Sequence, residues 1–167
     1  MSPPWIPKIT TVPNWRTRRK TASKVSATIQ TASIDTNVEA RDKHLKSPDF
    51  FDVDKNATIT FSSTGVADVQ GNKAKIKGQL TMHGVTKDVV LDTEFLGKAK
   101  DPRGDVRYGF QASTKINRKD FGMTWGRALE TGGVLVGDDV EITLDVEALV
   151  PRAPASPSPA APASPKP

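Results

Sequence analysis

The residues best suited to acid–base chemistry in this chain are the histidine His44 and the carboxylates of Asp42 and Asp120. A histidine acting as a general base would also need a nucleophile and an orienting acid close to it. No Ser-His-Asp order, phosphate-binding loop or dinucleotide fingerprint accompanies these residues. We therefore predict no catalytic residues and no enzyme activity.

A metal site is not expected either. The chain has no cysteine, which removes disulfides and Cys ligands, and its two histidines are not spaced with a carboxylate as metal ligands. Residues 52–56 imitate the start of a calcium loop, but Ala57 stands where that loop requires glycine and Ser63 where it requires glutamate. We interpret His83 as a turn residue whose ring bonds to backbone, and His44 as a structural or rim residue.

The elements that must position these side chains have a period of two, which is typical of β-strands. Apolar and polar residues alternate in six segments, at about 25–30, 57–62, 73–82, 85–95, 106–116 and 139–148. Six strands with one apolar face each imply an antiparallel sheet that closes on itself or packs on another. One helix is predicted from Asn37 to Lys46, with Pro48 as a stop, and a short second turn at 127–130.

Charge and composition separate the ends of the chain from its middle. Residues 1–24 carry six Lys or Arg and no acid, whereas residues 25–150 carry 16 basic and 19 acidic residues. Nucleic acid is therefore not an expected partner of the domain, although the net charge is +5. Residues 1–22 are interpreted as a basic, Trp-containing arm without barrel strands. Residues 151–167 include seven prolines and are interpreted as a disordered tail.

Three stretches carry a family resemblance: GQLTMHGVT at 78–86, INRKDFGMTW at 116–125 and LETGGVLVGDDVEITLDVEAL at 129–149. They resemble the signature of the YceI-like, polyisoprenoid-binding family, and the resemblance extends over about residues 23–150. It implies an all-β, antiparallel, lipocalin-like barrel that holds a long isoprenoid lipid. The strands with which a complete member begins are not recognisable here, so the barrel is expected to be incomplete at its N-terminus.

The expected site follows from the resemblance together with the face of the sheet on which each strand residue is expected to lie. Seven large apolar side chains are expected to line a lipid tunnel: Phe61, Leu80, Val89, Leu91, Phe110, Phe121 and Trp125. Arg41, Arg118 and Lys119 are expected to meet the polar head of the lipid. Residues 117–121 also have a second interpretation, as a turn in which Asn and Asp bond to local backbone while Phe121 and Trp125 close the barrel. Small inward residues such as Gly78 leave room for a ligand, or fit a solid, tapered core.

The predicted function is the binding, sequestration or transport of a long-chain polyisoprenoid lipid, with no other cofactor. The alternative is a truncated or diverged member that binds no lipid and acts through self-association or its basic arm. A homodimer is an expected partner, because lost strands would leave open edges that pair readily. No apolar run reaches membrane-spanning length and no signal-peptide core is seen, so a cytoplasmic chain without stable membrane insertion is predicted.

Overall fold

The alternating segments of the sequence form one antiparallel sheet in the computed structural model, which describes residues 8–12, 24–102, 104–126 and 136–150. The strands are β1 (Lys8–Val12), β2 (Lys24–Gln30), β3 (Thr58–Gln70), β4 (Lys73–Met82), β5 (Val85–Lys100), β6 (Val106–Asn117) and β7 (Asp139–Val150). The helix α1 spans Glu39–Lys46, and two 3-10 helices span Thr31–Ser33 and Arg118–Phe121. No helix in these ranges is long and apolar enough to cross a membrane.

The strands follow one another in space in the order of the chain, from β1 to β7, and every neighbouring pair is antiparallel. The sheet curls into a half-barrel of lipocalin-like type. The β6–β7 ladder runs without interruption from Val106↔Val150 to Asn117↔Asp139. The β3–β4 ladder contains two shifts of register, between Ser63 and Gly65 and between Ala67 and Gln70, and the β5–β6 ladder contains one, near Leu96. The all-β antiparallel prediction is therefore confirmed.

The N-terminal arm contains a strand that the sequence analysis did not predict. Lys8–Val12 forms β1 and pairs with β2 from Lys8↔Thr28 to Val12↔Lys24, so the prediction that residues 1–22 hold no strand is wrong for this segment. Pairing with β2 stabilises the extended conformation of these five residues, whose mixed composition does not predict a strand by itself. The rest of the predicted arm, the predicted turn at 127–130 and the predicted tail at 151–167 lie outside the described residues.

The β4–β5 hairpin is closed by a two-residue turn, His83-Gly84. Both residues have positive φ, 52° for His83 and 74° for Gly84, which is the backbone conformation of a type I′ turn. Glycine adopts it at no steric cost, and histidine is among the residues that tolerate it. The turn fixes the register in which Met82 faces Val85, and with it the face on which every later residue of β5 lies.

The core lies on the inner face of the sheet and is already filled at one end. Eight buried residues form a single cluster: Phe61, Leu80, Met82, Leu91, Ala112, Ile116, Phe121 and Met123. The ring of Phe61 lies over Gly78, where an added Cβ would collide with the Phe61 ring. The space above Gly78 is therefore taken by an aromatic ring, not left for a ligand. We call this cluster the packed end of the inner face.

Candidate binding face of the curled sheet

Farther along the same strands the inner face is apolar but only partly buried. Phe95 and Phe110 are cross-strand partners with ring centroids 5.5 Å apart, and Tyr108 lies 6.3 Å from Phe95. Val146 of β7 is opposite Phe110, and all four side chains are half-buried. We call these four residues the open end. Because side chains alternate between the two faces of a strand, these residues lie on the same face of the sheet as Ala112 and Leu91 in the packed end. One apolar face therefore continues from one region to the other.

The packed end is closed by the 3-10 helix Arg118–Phe121 and the residues that follow it. Phe121 is 1% exposed and Met123 4%. The His83 Nδ1 lies 3.0 Å from the Phe121 carbonyl oxygen, and because a carbonyl can only accept, Nδ1 is the donor of this hydrogen bond. Asn117 accepts a hydrogen bond from the Lys119 amide at 2.9 Å. The prediction that the His83 ring bonds to backbone is confirmed, and so is the Asn117 part of the predicted turn.

Arg118 is a buried residue that holds this closing loop together. Its Nε donates to the Gly137 carbonyl at 2.8 Å, and its Nη1 to the Met123 carbonyl at 2.8 Å and to the Trp125 carbonyl. Its Nη2 donates to the Val136 carbonyl at 3.4 Å and to Asp138 Oδ1 at 3.2 Å. These five acceptors match the five N–H groups of a guanidinium. The geometry is that of a structural residue and contradicts a free guanidinium facing a lipid head.

The other two head-group candidates are exposed, and each is held by protein atoms. The Lys119 Nζ lies 2.7 Å from Asp138 Oδ2, and this hydrogen bond is the main reason why the pKa of Asp138 lies below its ordinary value. Arg41 donates from Nε to the Thr36 hydroxyl at 2.8 Å and from Nη2 to the Thr36 carbonyl at 2.9 Å. Arg118 and Lys119 thus share Asp138 as a partner, whereas Arg41 is held by Thr36.

The seven tunnel candidates fall in three places. Phe61, Leu80, Leu91 and Phe121 belong to the packed end, and Val89 packs against it. Phe110 lies at the open end. Trp125 instead packs with His44 of α1 and with Phe50, at centroid distances of 4.8 and 5.1 Å. The His44 Nε2 in turn lies 3.0 Å from Asp49 Oδ2. Sequence reasoning left Phe95 and Tyr108 out of the site, although their place in the period of two puts them on the inner face.

Strands β5 and β6 part from each other beside the closing helix. Their ladder ends at Asp92↔Ser113, whereas β5 stays paired with β4 as far as Val85 and β6 with β7 as far as Asn117. A cavity of about 370 Å³ lies in the gap. Its walls include Lys87 and Val89 of β5 and Ile116 of β6. This gap interrupts the sheet where a closed barrel would continue its ladder.

Comparison with known proteins identifies the family to which this arrangement belongs. A family model described as the YceI-like domain matches residues 8–148. The UPF0312 protein of Ectopseudomonas mendocina (strain ymp) is 46% identical over 130 residues, which cover 77% of this chain and 64% of that protein. The UPF0312 protein of Azotobacter vinelandii is 48% identical over 102 residues, 61% of this chain and 53% of that protein. The chain thus spans less than two thirds of the length of these relatives.

Solved structures agree with the fold. The YCEI protein of Campylobacter jejuni superposes with a TM-score of 0.68 at 36% identity, covering 77% of this chain and 73% of that chain. BcnA of Burkholderia cenocepacia gives a TM-score of 0.71 at 22% identity over 86% of this chain and 84% of that chain, and shares the fold. Because the family model covers most of the sequence and the curled antiparallel sheet is common to these structures, the chain belongs to the YceI-like domain family.

Proposed function

We propose that the chain binds a long-chain isoprenoid lipid on the inner face of the sheet, with the lipid tail lying over the open end. The observation that carries this proposal is the half-buried row of Phe95, Tyr108, Phe110 and Val146. Contiguous apolar surface of this kind marks a ligand groove more often than a bare protein surface. Each CH₂ group buried there contributes roughly 0.8 kcal/mol, so a tail of several isoprene units binds tightly with little help from its head.

The packed end limits where the tail can lie. Phe121 and Phe61 already contact other side chains of the cluster, so the tail rests against this cluster and does not pass through it. The proposed contacts are therefore Phe110 together with Phe95 and Tyr108, which replace the deeper tunnel candidates. Lys119 and Arg41 are the exposed cations left for a polar head, and each would exchange an existing partner for it. The role is binding without turnover.

A titration with isoprenoids of increasing length tests the proposal. We expect the affinity of the purified chain to rise from farnesol to a longer polyprenol, as measured by native mass spectrometry and by tryptophan fluorescence. Val146→Asp should weaken binding of the longer polyprenol by more than about tenfold, because a carboxylate would be covered by the tail. Leu149→Asp is the matched control: Leu149 is 48% exposed, lies on the same strand and points to the outer face.

Two results would contradict lipid binding on this face. One is equal affinity of the Val146→Asp and Leu149→Asp variants, which would place the lipid elsewhere. The other is a parent chain that binds no isoprenoid and is polydisperse, which would favour the alternative function of self-association through open sheet edges. That alternative rests on the two edge strands, β1 and β7, each of which has a single neighbour among the described strands.

A further inference from the structure

The outer strand β7 has an edge that is long and lacks most of the usual protections. Its twelve residues contain no proline or glycine and no register shift, and among the described strands it has one neighbour, β6. The opposite edge, β1, has only five residues. Exposed edges are normally blunted by proline, bulges, lysine or inward-pointing charges, because their free N–H and C=O groups can pair with another strand.

The outer face of β7 is acidic. Four of its residues are carboxylates on that face, all exposed: Asp139, Glu141, Asp145 and Glu147. Strand β6 supplies two cations against them, since Lys115 pairs with Asp139 at 2.7 Å and Arg107 pairs with Glu147. Asp145 receives only the neutral amide of Gln111, at 3.0 Å. Lys115 is also the cross-strand partner of Glu141, so β6 offers two cations to four carboxylates. Among the described residues, Glu141 and Asp145 form no ion pair of their own, and they lie four residues apart in the middle of the edge.

This pattern opposes the pairing of β7 with β7 of a second copy. An antiparallel pair that keeps both apolar faces together and is centred on Thr143 would place Glu141 opposite Asp145. Centring the pair one residue earlier places Asp139 opposite Asp145, and one residue later places Glu141 opposite Glu147. Like charges directly opposite each other are destabilising in a sheet. The β7 edge can therefore pair with other strands, whereas pairing with β7 of a second copy of the chain is disfavoured.

We infer that the β7 edge is a docking site for a basic, extended strand of a partner polypeptide. The partner that fits carries two Lys or Arg residues four positions apart on one face, opposite Glu141 and Asp145. Its alternate residues are apolar, because they would lie beside Ile142, Leu144 and Val146 on the inner face. Main-chain hydrogen bonds provide the attachment, and the two cations set its register.

Labelled peptides of about ten residues, the upper end of the usual range of strand lengths, test the inference on the full chain. One peptide alternates Val and Thr and has two lysines four positions apart; a second has glutamates in place of the lysines; a third has a proline at its centre. Fluorescence anisotropy should show binding of the first peptide only, weakening as salt is added. Hydrogen exchange of the β7 amides should slow when that peptide is present.

Matched charge reversals of the protein complete the test. Glu141→Lys should weaken binding of the lysine peptide by about 5- to 30-fold, because an opposite-charge pair becomes a like-charge pair. Asp54→Lys makes the same change of charge at an exposed loop position and should leave the affinity within about twofold. The inference is overturned if the proline peptide binds equally well, if both reversals have the same effect, or if the β7 amides are equally protected with and without the lysine peptide.

Discussion

Arg118 and Lys119 are adjacent cations that look interchangeable in the sequence and have different surroundings in the fold. The Arg118 side chain is 5% exposed and donates to four carbonyls and one carboxylate, whereas the Lys119 side chain is 50% exposed and contacts the same Asp138. A planar guanidinium has the number and fixed directions of donors that such a set of acceptors requires, and an ammonium group does not. Arg118 is therefore the residue on which the closing loop depends.

Replacing each cation by methionine separates the two roles. We expect Arg118→Met to lower the free energy of unfolding by about 3–5 kcal/mol, because it leaves several buried acceptors unpaired. Lys119→Met should cost less than about 1 kcal/mol, as for an exposed ion pair. Urea denaturation followed by circular dichroism measures both. Arg118→Lys should recover only part of the loss, and equal losses for the two methionine variants would show that Arg118 is not the main tie.

At the scale of the elements, the parting of β5 and β6 divides each strand into two stretches. Asp92–Lys100 and Val106–Ser113 face each other in a ladder, whereas Val85–Leu91 and Thr114–Asn117 are paired only on their far sides. In an antiparallel sheet the N–H groups of a strand alternate between its two neighbours. About half of the amides in the parted stretches therefore lack a strand partner across the gap.

Hydrogen exchange should reveal this division. We expect alternate amides in Val85–Leu91 and Thr114–Asn117 to exchange much faster than their immediate neighbours, whereas amides at 106–112, which have a strand partner on both sides, should be protected without alternation. Exchange followed residue by residue by NMR provides the measurement, and this laddered stretch of β6 serves as the internal control. Uniform protection of Val85–Leu91 and Thr114–Asn117 would mean that β5 and β6 stay paired to their ends.

The sequence was a good guide to the strands and a poor guide to the contacts between distant segments. Alternation along β4 and β6 predicted both strands to within about a residue, because a half-buried strand leaves its period in the sequence. Strand β1 was missed because the sequence on either side of it is rich in proline and basic residues, which does not predict a strand. Its extended conformation depends on pairing with β2. The role of Arg118 could not be predicted, since its partners Gly137 and Asp138 lie 19 and 20 residues away along the chain.

Contacts between distant segments were also hard to predict in the candidate site. Phe61, Leu80 and Leu91 were placed correctly on the inner face by parity, and the structure adds that they pack against one another. Parity alone does not show whether neighbouring inward side chains fill the space between them. The gap between β5 and β6 left no trace in the sequence, because the alternation continues through both strands where their ladder stops.

At the scale of the whole molecule, the acidic edge of β7 should help to keep copies of the chain apart. We expect the double variant Glu141→Thr/Asp145→Thr to self-associate at lower concentration than the parent chain, because threonine favours strands and removes the opposed charges. Sedimentation velocity at low salt measures the effect. The control variant Asp54→Thr/Asp88→Thr removes two exposed carboxylates elsewhere. If the control associates equally, net charge and not the edge would govern association.

The number of described strands has a geometric consequence. The seven strands that the structure describes are joined in chain order, each antiparallel to the last, and therefore leave β1 and β7 pointing in the same direction. Direct contact between these two edges would form a parallel ladder, which is slanted and slightly less stable per residue than an antiparallel one. An even count removes this mismatch, because one more strand can run opposite to both edges at once. Because the described strands are odd in number, a single added strand can be antiparallel to both edges of the half-barrel.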